Sequence, residues 1–530
     1  MSTFAPTEPL PSRWLRTWSG RRRWPLVSVA GATLAAALVL LPLTFLVIQA
    51  QMSGWAEIER LVFRHSVAVL LWNTVRLALA CTALCALLGV GAAWCVERTT
   101  LPAPRLWAVA LVLPLGIPDF VIGFGWVSVE PALHGYLAAV MIMTLSLYPL
   151  VYMPVAAALS NIDAGLEEAA RSLGLGPWQT FRRVTLRQIR PALLGGCLLV
   201  TLALLAEFGA FEIVQYQTFT VEIFTEFKLG FDTVAACALS VVLVLLSVAA
   251  LGAELALVGR GRSWRTGPGA RRVAPRIALR RWSAPVIAGL GALSALALGV
   301  PIGALVYWML RGSSTTLPSA SIFSATLHTV TLSAAAAALS TILAIPVTTL
   351  AMRHRNRLTV LIERLAYLPM ALPGLVVALG LVSFSVRYAF FIYQSSFELV
   401  LAYAILFLPL AVVGVRSAMA QASPRLEDVG RSLGKRPVAV WWRITLPLIS
   451  RGVGAAFALV FISAATELTA TLLLRPTGVN TLATQFWTYT TDFAYGAAAP
   501  YAGMMVLISA VPAFLLSRRV TRMTSAEQKS

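Results

Sequence analysis

Apolar runs of about 20 residues, the length needed to cross the hydrocarbon of a bilayer, recur along this whole chain. A lipid-exposed backbone has no water to bond its N–H and C=O groups, so segments of this kind must be helices. The composition agrees. Of 530 residues, 58% are hydrophobic and 12% charged, whereas a soluble protein carries about a quarter charged residues. The expected fold class is therefore an all-α integral membrane protein. Twelve transmembrane helices are expected, near 26–49, 69–95, 106–128, 133–157, 190–212, 233–258, 284–309, 325–352, 360–386, 393–418, 450–472 and 498–517.

The formal net charge of +20 invites a nucleic-acid reading, and its distribution rejects one. With the N-terminus inside, alongside Arg13, Arg16, Arg21, Arg22 and Arg23, every even-numbered span exits to the cytoplasm. Those exits carry Arg98 and Arg105, Arg171 to Arg187, Arg260 to Arg281, Arg353 to Arg357, Arg431 to Arg443, and Arg518 to Arg522. The opposite loops are poor in Lys and Arg. This is the positive-inside rule, so the charge reports topology: a multi-pass protein of the cell (inner) membrane with both termini cytoplasmic. The first apolar run is too long for a signal-peptide core and is expected to be a retained anchor. The five cysteines (Cys81, Cys85, Cys95, Cys197, Cys237) all fall in apolar spans, which suits packing and predicts no disulfide. The four histidines do not cluster, and no metal ligand is assigned.

The chain repeats itself. Asn73-Thr-Val-Arg-Leu77 aligns with His328-Thr-Val-Thr-Leu332, and Arg98 with Arg353, at an offset of 255. At that offset Pro114 and Pro118 meet Pro369 and Pro373. Further on the offset becomes 260, and Pro149-Leu150 matches Pro409-Leu410, and Glu207 matches Glu467. Two parallel six-helix units follow, with a pathway expected between them. The expected division is a cytoplasmic N-terminus with the first span over 1–68, a first domain over 69–258, a basic linker with the seventh span over 259–322, a second domain over 323–517, and a cytoplasmic tail over 518–530. Residues 259–282 hold eight arginines and no acid, as expected of a solvated connector near anionic lipid. Membrane lipid is thus an expected partner, and nucleic acid is not.

Two polar islands interrupt the apolar text at matched places: Leu166-Glu-Glu-Ala-Ala-Arg-Ser-Leu-Gly174 and Leu426-Glu-Asp-Val-Gly-Arg-Ser-Leu-Gly434. Asp163 and Ser423 are suited to N-cap a helix, with Pro424 at the first helical position. Glu167, Glu168, Glu427 and Asp428 fall early in it, where negative charge suits the helix dipole. Gly174 and Gly434 are placed to end it in a left-handed conformation. Pro177 and Pro437 begin a second short helix. The expected product is helix–glycine–helix on the cytoplasmic surface, held down by Leu166, Leu173 and Trp178. A single such element could be an interfacial pad; two in register favour a docking element on each half.

The islands resemble the EAA loop of ATP-binding-cassette importer permeases. Glu168-Ala169-Ala170, Gly174, Val184 and Leu186 follow the pattern, with Arg187 in place of its proline. Gly434, Ile444, Leu446 and Pro447 follow it in the second half, while Asp428-Val429-Gly430 departs from Glu-Ala-Ala. The resemblance implies a type I importer permease fold, with each loop inserted into a groove of an ATP-binding subunit, two copies in all. Glu168 and Asp428 would each pair with a basic residue there. The chain carries no Gly-x-x-x-x-Gly-Lys-Ser/Thr loop, so ATP is expected to be used by the partner, with no cofactor bound here and no catalytic residue. An extracytoplasmic solute-binding protein is the other expected partner.

The stretches Glu207-Phe-Gly-Ala-Phe-Glu-Ile with Gln217-Thr-Phe-Thr, and Glu467 to Pro476 with Asn480 to Thr484, are most similar to fused ferric-iron permeases. Thiamine permeases share the fused layout and keep that substrate, or another small solute, open. A secondary transporter driven by an ion gradient is the alternative from another class; a membrane enzyme is weaker, since no nucleophile–base pair is visible. An ionisable residue inside a span is by default a functional hypothesis. Glu207 and Glu467 could face a central path, where carboxylates suit a hard cation such as Fe(III), or could cap broken helices. Pro114, Pro118, Pro369 and Pro373 are expected to kink spans 3 and 9, as gate hinges or as packing features.

Overall fold

The computed structural model describes residues 26–52, 54–162, 164–258, 276–312, 320–354 and 356–510. The terminal arginine clusters, most of the basic linker and Asp163 lie outside them. Among the described residues the secondary structure is helical, apart from one isolated bridge between Thr99 and Ile277.

Eight helices are long and apolar enough to cross a membrane unbroken: Val27–Gln49, His65–Arg98, Gly135–Ser160, Pro177–Ala206, Thr233–Glu254, Arg280–Arg311, Ala320–Arg353 and Val438–Ala465. They correspond to spans 1, 2, 4, 5, 6, 7, 8 and 11 of the sequence. Spans 3, 9 and 10 are not single helices. They are pairs bent by 92°, 109° and 54°: Pro104–Gly116 with Asp119–Val129, Arg357–Ala371 with Gly374–Tyr388, and Ser396–Leu406 with Leu408–Gln421. The twelfth, Tyr495–Ala510, is shorter.

The elbows in spans 3 and 9 have a local cause. A proline ring pushes the preceding residue out of the helical region and supplies no N–H of its own. Ile117 before Pro118 sits at φ −107°, ψ 126°, and Leu372 before Pro373 at φ −106°, ψ 120°. The expected kinks are therefore near-right-angle breaks. Spans 5 and 11 are shifted from their expected limits, ending at Ala206 and Ala465. Glu207 and Glu467 lie just beyond those ends, in the breaks before the short helices that follow, rather than within the spans.

The halves do not pack as two separate bundles. One apolar core joins spans 2 to 5 to residues of span 7, such as Leu290, Ala297 and Leu305, and to Phe486, Trp487 and Tyr501 from the end of the second half. The other joins spans 8 to 11 to Ala32, Val39 and Leu46 of span 1 and to Cys237 and Leu243 of span 6. The leading helix of each half has crossed over. Glycine makes both crossings possible. A Cβ on Gly125 would lie 2.7 Å from Cα of Pro301 in span 7, and one on Gly380 would lie 2.2 Å from O of Pro42 in span 1. Gly125 and Gly380 are equivalents at the offset of 255. With lipid as apolar as the side chains, close backbone approach at small residues is what holds membrane helices together.

Candidate functional site

Each island folds as the sequence foretold, up to a point. The helices run Ala164–Ser172 and Pro424–Ser432. Gly174 and Gly434 take φ +83° and +75°, the left-handed conformation open to glycine without a Cβ clash. Both ends close with the same pair of bonds. The amides of Gly174 and Leu175 donate to O of Arg171 (2.9 Å) and of Ala170 (3.1 Å); those of Gly434 and Lys435 donate to O of Arg431 (2.9 Å) and of Gly430 (3.2 Å). This is a Schellman close. Short helices Pro177–Thr180 and Pro437–Val440 follow. Ser423 sits at the N-cap, but its side chain makes no capping bond.

The islands are also anchored within the chain itself. Leu166, Leu173 and Trp178 are 47%, 84% and 70% exposed, so they do not pin the first island to the chain. The anchor is electrostatic. Glu167, 5% exposed, accepts hydrogen bonds from Nη2 of Arg98 and from Oγ1 of Thr185 (2.7 Å). Glu427, 7% exposed, accepts from Nη2 of Arg353 (2.6 Å), Oγ1 of Thr445 (3.3 Å) and Nη2 of Arg431 (3.4 Å). Thr185 and Thr445 each close a π-helical turn, Phe181–Thr185 and Trp441–Thr445. A π turn adds a residue to the helical repeat and re-aims the side chains around it. The acids of each pair thus divide the work. Glu167 and Glu427 face inward, while Glu168 and Asp428 face out, and Asp428 accepts from Nη1 of Arg431 at 3.2 Å. Sequence reasoning placed Arg98 and Arg353 only as topology charges. Their exact register in the repeat, beside a matched pair of acids, was the signal that they are partners.

The departure of the second island from Glu-Ala-Ala has a packing reason. A Cβ on Gly430 would lie 2.6 Å from Cδ1 of Ile444 and 3.3 Å from Cγ2 of Val440. In the first island the equivalent positions are Ala170 and Val184. The larger residue on one helix of the pair goes with the smaller on the other, and the volume is conserved.

At the other end of the halves, Glu207 and Glu467 follow the same rule of symmetry. Oε1 of Glu207 accepts from the amide of Ala210 at 2.7 Å, and Oε1 of Glu467 from that of Ala470 at 3.0 Å. Each carboxylate bonds the first turn of the short helix that follows, Gly209–Ile213 or Thr469–Leu474. Each main-chain carbonyl is also held: O of Glu207 by Oγ1 of Thr220 (2.6 Å), O of Glu467 by Oγ1 of Thr471 (2.5 Å). The stretches after them are clamped to spans 2 and 8. Asn73 donates to O of Gln217 at 3.2 Å, and its equivalent His328 lies 3.1 Å from O of Asn480.

These acids are not isolated from one another. Glu207 lies within electrostatic reach of both Glu467 and Asp119. Asp119 opens the second limb of the span 3 elbow and accepts from Oγ of Ser146. Its equivalent is Gly374, where a Cβ would lie 2.8 Å from Oε1 of Glu467. Sequence reasoning passed over Asp119, although a lone acid within an apolar run was signal enough. Leu468 closes on Gly209, where a Cβ would meet its Cδ2 at 3.0 Å and Cβ of Phe120 at 2.8 Å. The elbows and the two capped helices therefore converge where the halves meet. Among the described residues no three His, Cys, Asp or Glu side chains are arranged to hold a metal ion.

Two symmetric helix–glycine–helix islands on a twice-repeated helical unit are the geometry of an importer permease. Comparison of the chain with protein families decides it: the binding-protein-dependent transport system inner membrane component matches twice, over residues 87–260 and 340–524. The chain belongs to that family. Members are permease subunits of ATP-binding-cassette importers, and an ATP-binding subunit and a solute-binding protein are the partners that such a permease works with. The family and the apolar helices together place the chain in the inner membrane as a multi-pass protein. Among relatives, it is 39% identical to the Fe(3+)-transport system permease protein FbpB 2 of Haemophilus influenzae over 485 residues, covering 90% of this chain and 95% of that one. The sulfate permease CysW of Synechocystis is 34% identical over 34% of this chain and 72% of its own length. The molybdenum permease ModB of Escherichia coli is 31% identical over 26% of this chain and 69% of its own.

Proposed function

We propose that this permease imports ferric iron across the inner membrane, powered by ATP hydrolysed on a separate subunit. The observation that carries the substrate is the similarity to an Fe(3+) permease, which runs through both halves and nearly the whole of each chain. The sulfate and molybdenum permeases match between 26% and 37% of the chain. A solute-binding protein delivers the substrate to the outer face, and two ATP-binding subunits dock on the islands. Closure of those subunits on ATP turns the halves, opening the path outward, and hydrolysis resets it inward. This is a population shift between two global states biased by nucleotide.

Exposed Glu168, Asp428, Leu173 and Leu433 form the docking surface. The path runs past the meeting point of the elbows, with Asp119, Glu207 and Glu467 beside it. The prolines Pro114, Pro118, Pro369 and Pro373 act as the hinges there. The matched islands favour an ATP-driven machine over an ion-gradient transporter, which has no use for them.

The test is uptake by cells that lack their own iron importers and express this chain with its ATP-binding and solute-binding partners. Radioactive ferric iron should accumulate, and depletion of ATP with the ion gradient intact should stop it. Accumulation of thiamine, sulfate or molybdate instead would reassign the substrate. Uptake that survives ATP depletion would assign the chain to gradient-driven transport.

A further inference from the structure

Arg98 holds more than the first island. Its side chain reaches Glu167 and lies over the Trp94 ring at 5.4 Å, and Trp94 in turn meets Phe181 edge-on at 4.9 Å. Its carbonyl accepts from the amide of Ile277 at 2.8 Å, and O of Ile277 accepts from the amide of Thr100 at 3.0 Å. The amide of Leu279 closes the contact on Oγ1 of Thr100 at 3.3 Å. Residues 276–279 are the last of the linker before span 7, so this end of the connector is bonded to span 2 rather than solvated throughout. Span 7 then rises along Asp119–Val129, the far limb of the span 3 elbow, with Pro301 seated on Gly125. Arg98 is 3% exposed, and its Nε and Nη1 find no hydrogen-bond partner among the described residues. A buried charge left with spare donors is costly, and a group kept at such cost invites a reason.

We propose that Arg98 is a positioning residue for energy coupling: it ties the first island, the end of span 2 and the start of span 7 into one body. A displacement of the island is then carried to the elbow where the halves meet. Arg353 with Glu427 ties the second island to span 8 in the same way, and that tie is shared with Arg431. The proposal rests on the reading of the islands as docking elements. It differs from that reading in what it assigns: Arg98 and Glu167 do not touch the ATP-binding subunit, which meets the outward Glu168 and the exposed apolar residues.

The test uses the whole complex, purified through a tag on this chain and reconstituted in liposomes with its solute-binding protein. Arg98→Gln should retain the ATP-binding subunits at the wild-type ratio. Its ATP hydrolysis should lose the stimulation given by the loaded binding protein, and uptake per complex should fall at least tenfold. Arg98→Lys, which can still reach Glu167, should recover at least a third of the stimulation. Glu167→Gln, which keeps its volume and a partner for Thr185, should behave as Arg98→Gln does. A residue needed only for stability would lower the yield of complex and leave the ratio of stimulated to basal hydrolysis alone. Stimulation and uptake within twofold of wild type in Arg98→Gln would overturn the proposal. So would loss of the ATP-binding subunits from that variant, which would make Arg98 a support of docking alone. A wild-type chain that captures no ATP-binding subunit would instead refute the docking reading itself.

Discussion

Replacing Gly380 by Ala should weaken the whole assembly, although it adds only one methyl group to a helix. The new Cβ would sit 2.2 Å from O of Pro42 and 2.7 Å from its C and Cα. Close carbon–oxygen contacts between helices lie at about 3.3 Å. Spans 1 and 9 would have to part by roughly 1 Å at their crossing, since the obstacle is backbone and cannot turn aside. Overpacking of this kind costs about 1–3 kcal/mol, and the better helix propensity of Ala returns about 1 kcal/mol. Because the obstacle is backbone, the cost lies at the upper end of that range, and a net loss of about 2 kcal/mol is expected. The assay is the apparent thermal midpoint of the purified protein in detergent, followed by tryptophan fluorescence. Gly454→Ala is the control: it lies in a spanning helix, and its Cβ would meet nothing within 4 Å. Gly380→Ala should unfold several degrees below wild type, with Gly454→Ala at or above it. Equal midpoints for the two variants would refute the crossing of span 1 onto the second half, and with it the shared cores.

The remaining expectations concern the islands and the acids. Gly430→Ala alone should loosen the second island by about 1 kcal/mol through its clash with Ile444, whereas Gly430→Ala with Ile444→Val should leave it as tight as wild type or tighter; hydrogen exchange of the 424–432 peptide reads this directly. Should the single variant prove as protected as the double, the volume argument is wrong. Gly174→Pro with Gly434→Pro removes both left-handed closures and should abolish uptake while insertion continues; normal uptake would refute a coupling role. Glu207→Gln with Glu467→Gln keeps an acceptor oxygen for the capping amides while removing both charges. Uptake should fall at least tenfold if the charges act on a passing cation, and unchanged uptake would reduce the two residues to helix caps.

Several features were legible from residues alone because they depend on neighbours in sequence. The closing glycines of the islands needed only the local rule for left-handed caps, and the elbows needed only Pro118 and Pro373. Even so, the angle of the break was not in the local rule: a proline permits a kink of 20° as readily as a turn of 109°. The inward and outward division of Glu167 from Glu168 was hidden because adjacent residues on a helix point about 100° apart. Only the neighbouring spans tell which direction is inside.

Hydrophobic run length, charge asymmetry and the internal offset determined that this is a helical membrane protein of two like units with matched polar islands. These are properties of the chain against its solvent, and lipid and water read them one segment at a time. The partners of each helix were decided by the tertiary structure. Lipid is as apolar as the helix surfaces, so hydrophobicity cannot choose one neighbour over another; fit does. Pro42 fits Gly380 and Pro301 fits Gly125, so the leading helix of each unit lies in the core of the other. Two units that read as separate in sequence are interlocked in space, and the acids that cap their broken helices meet between them.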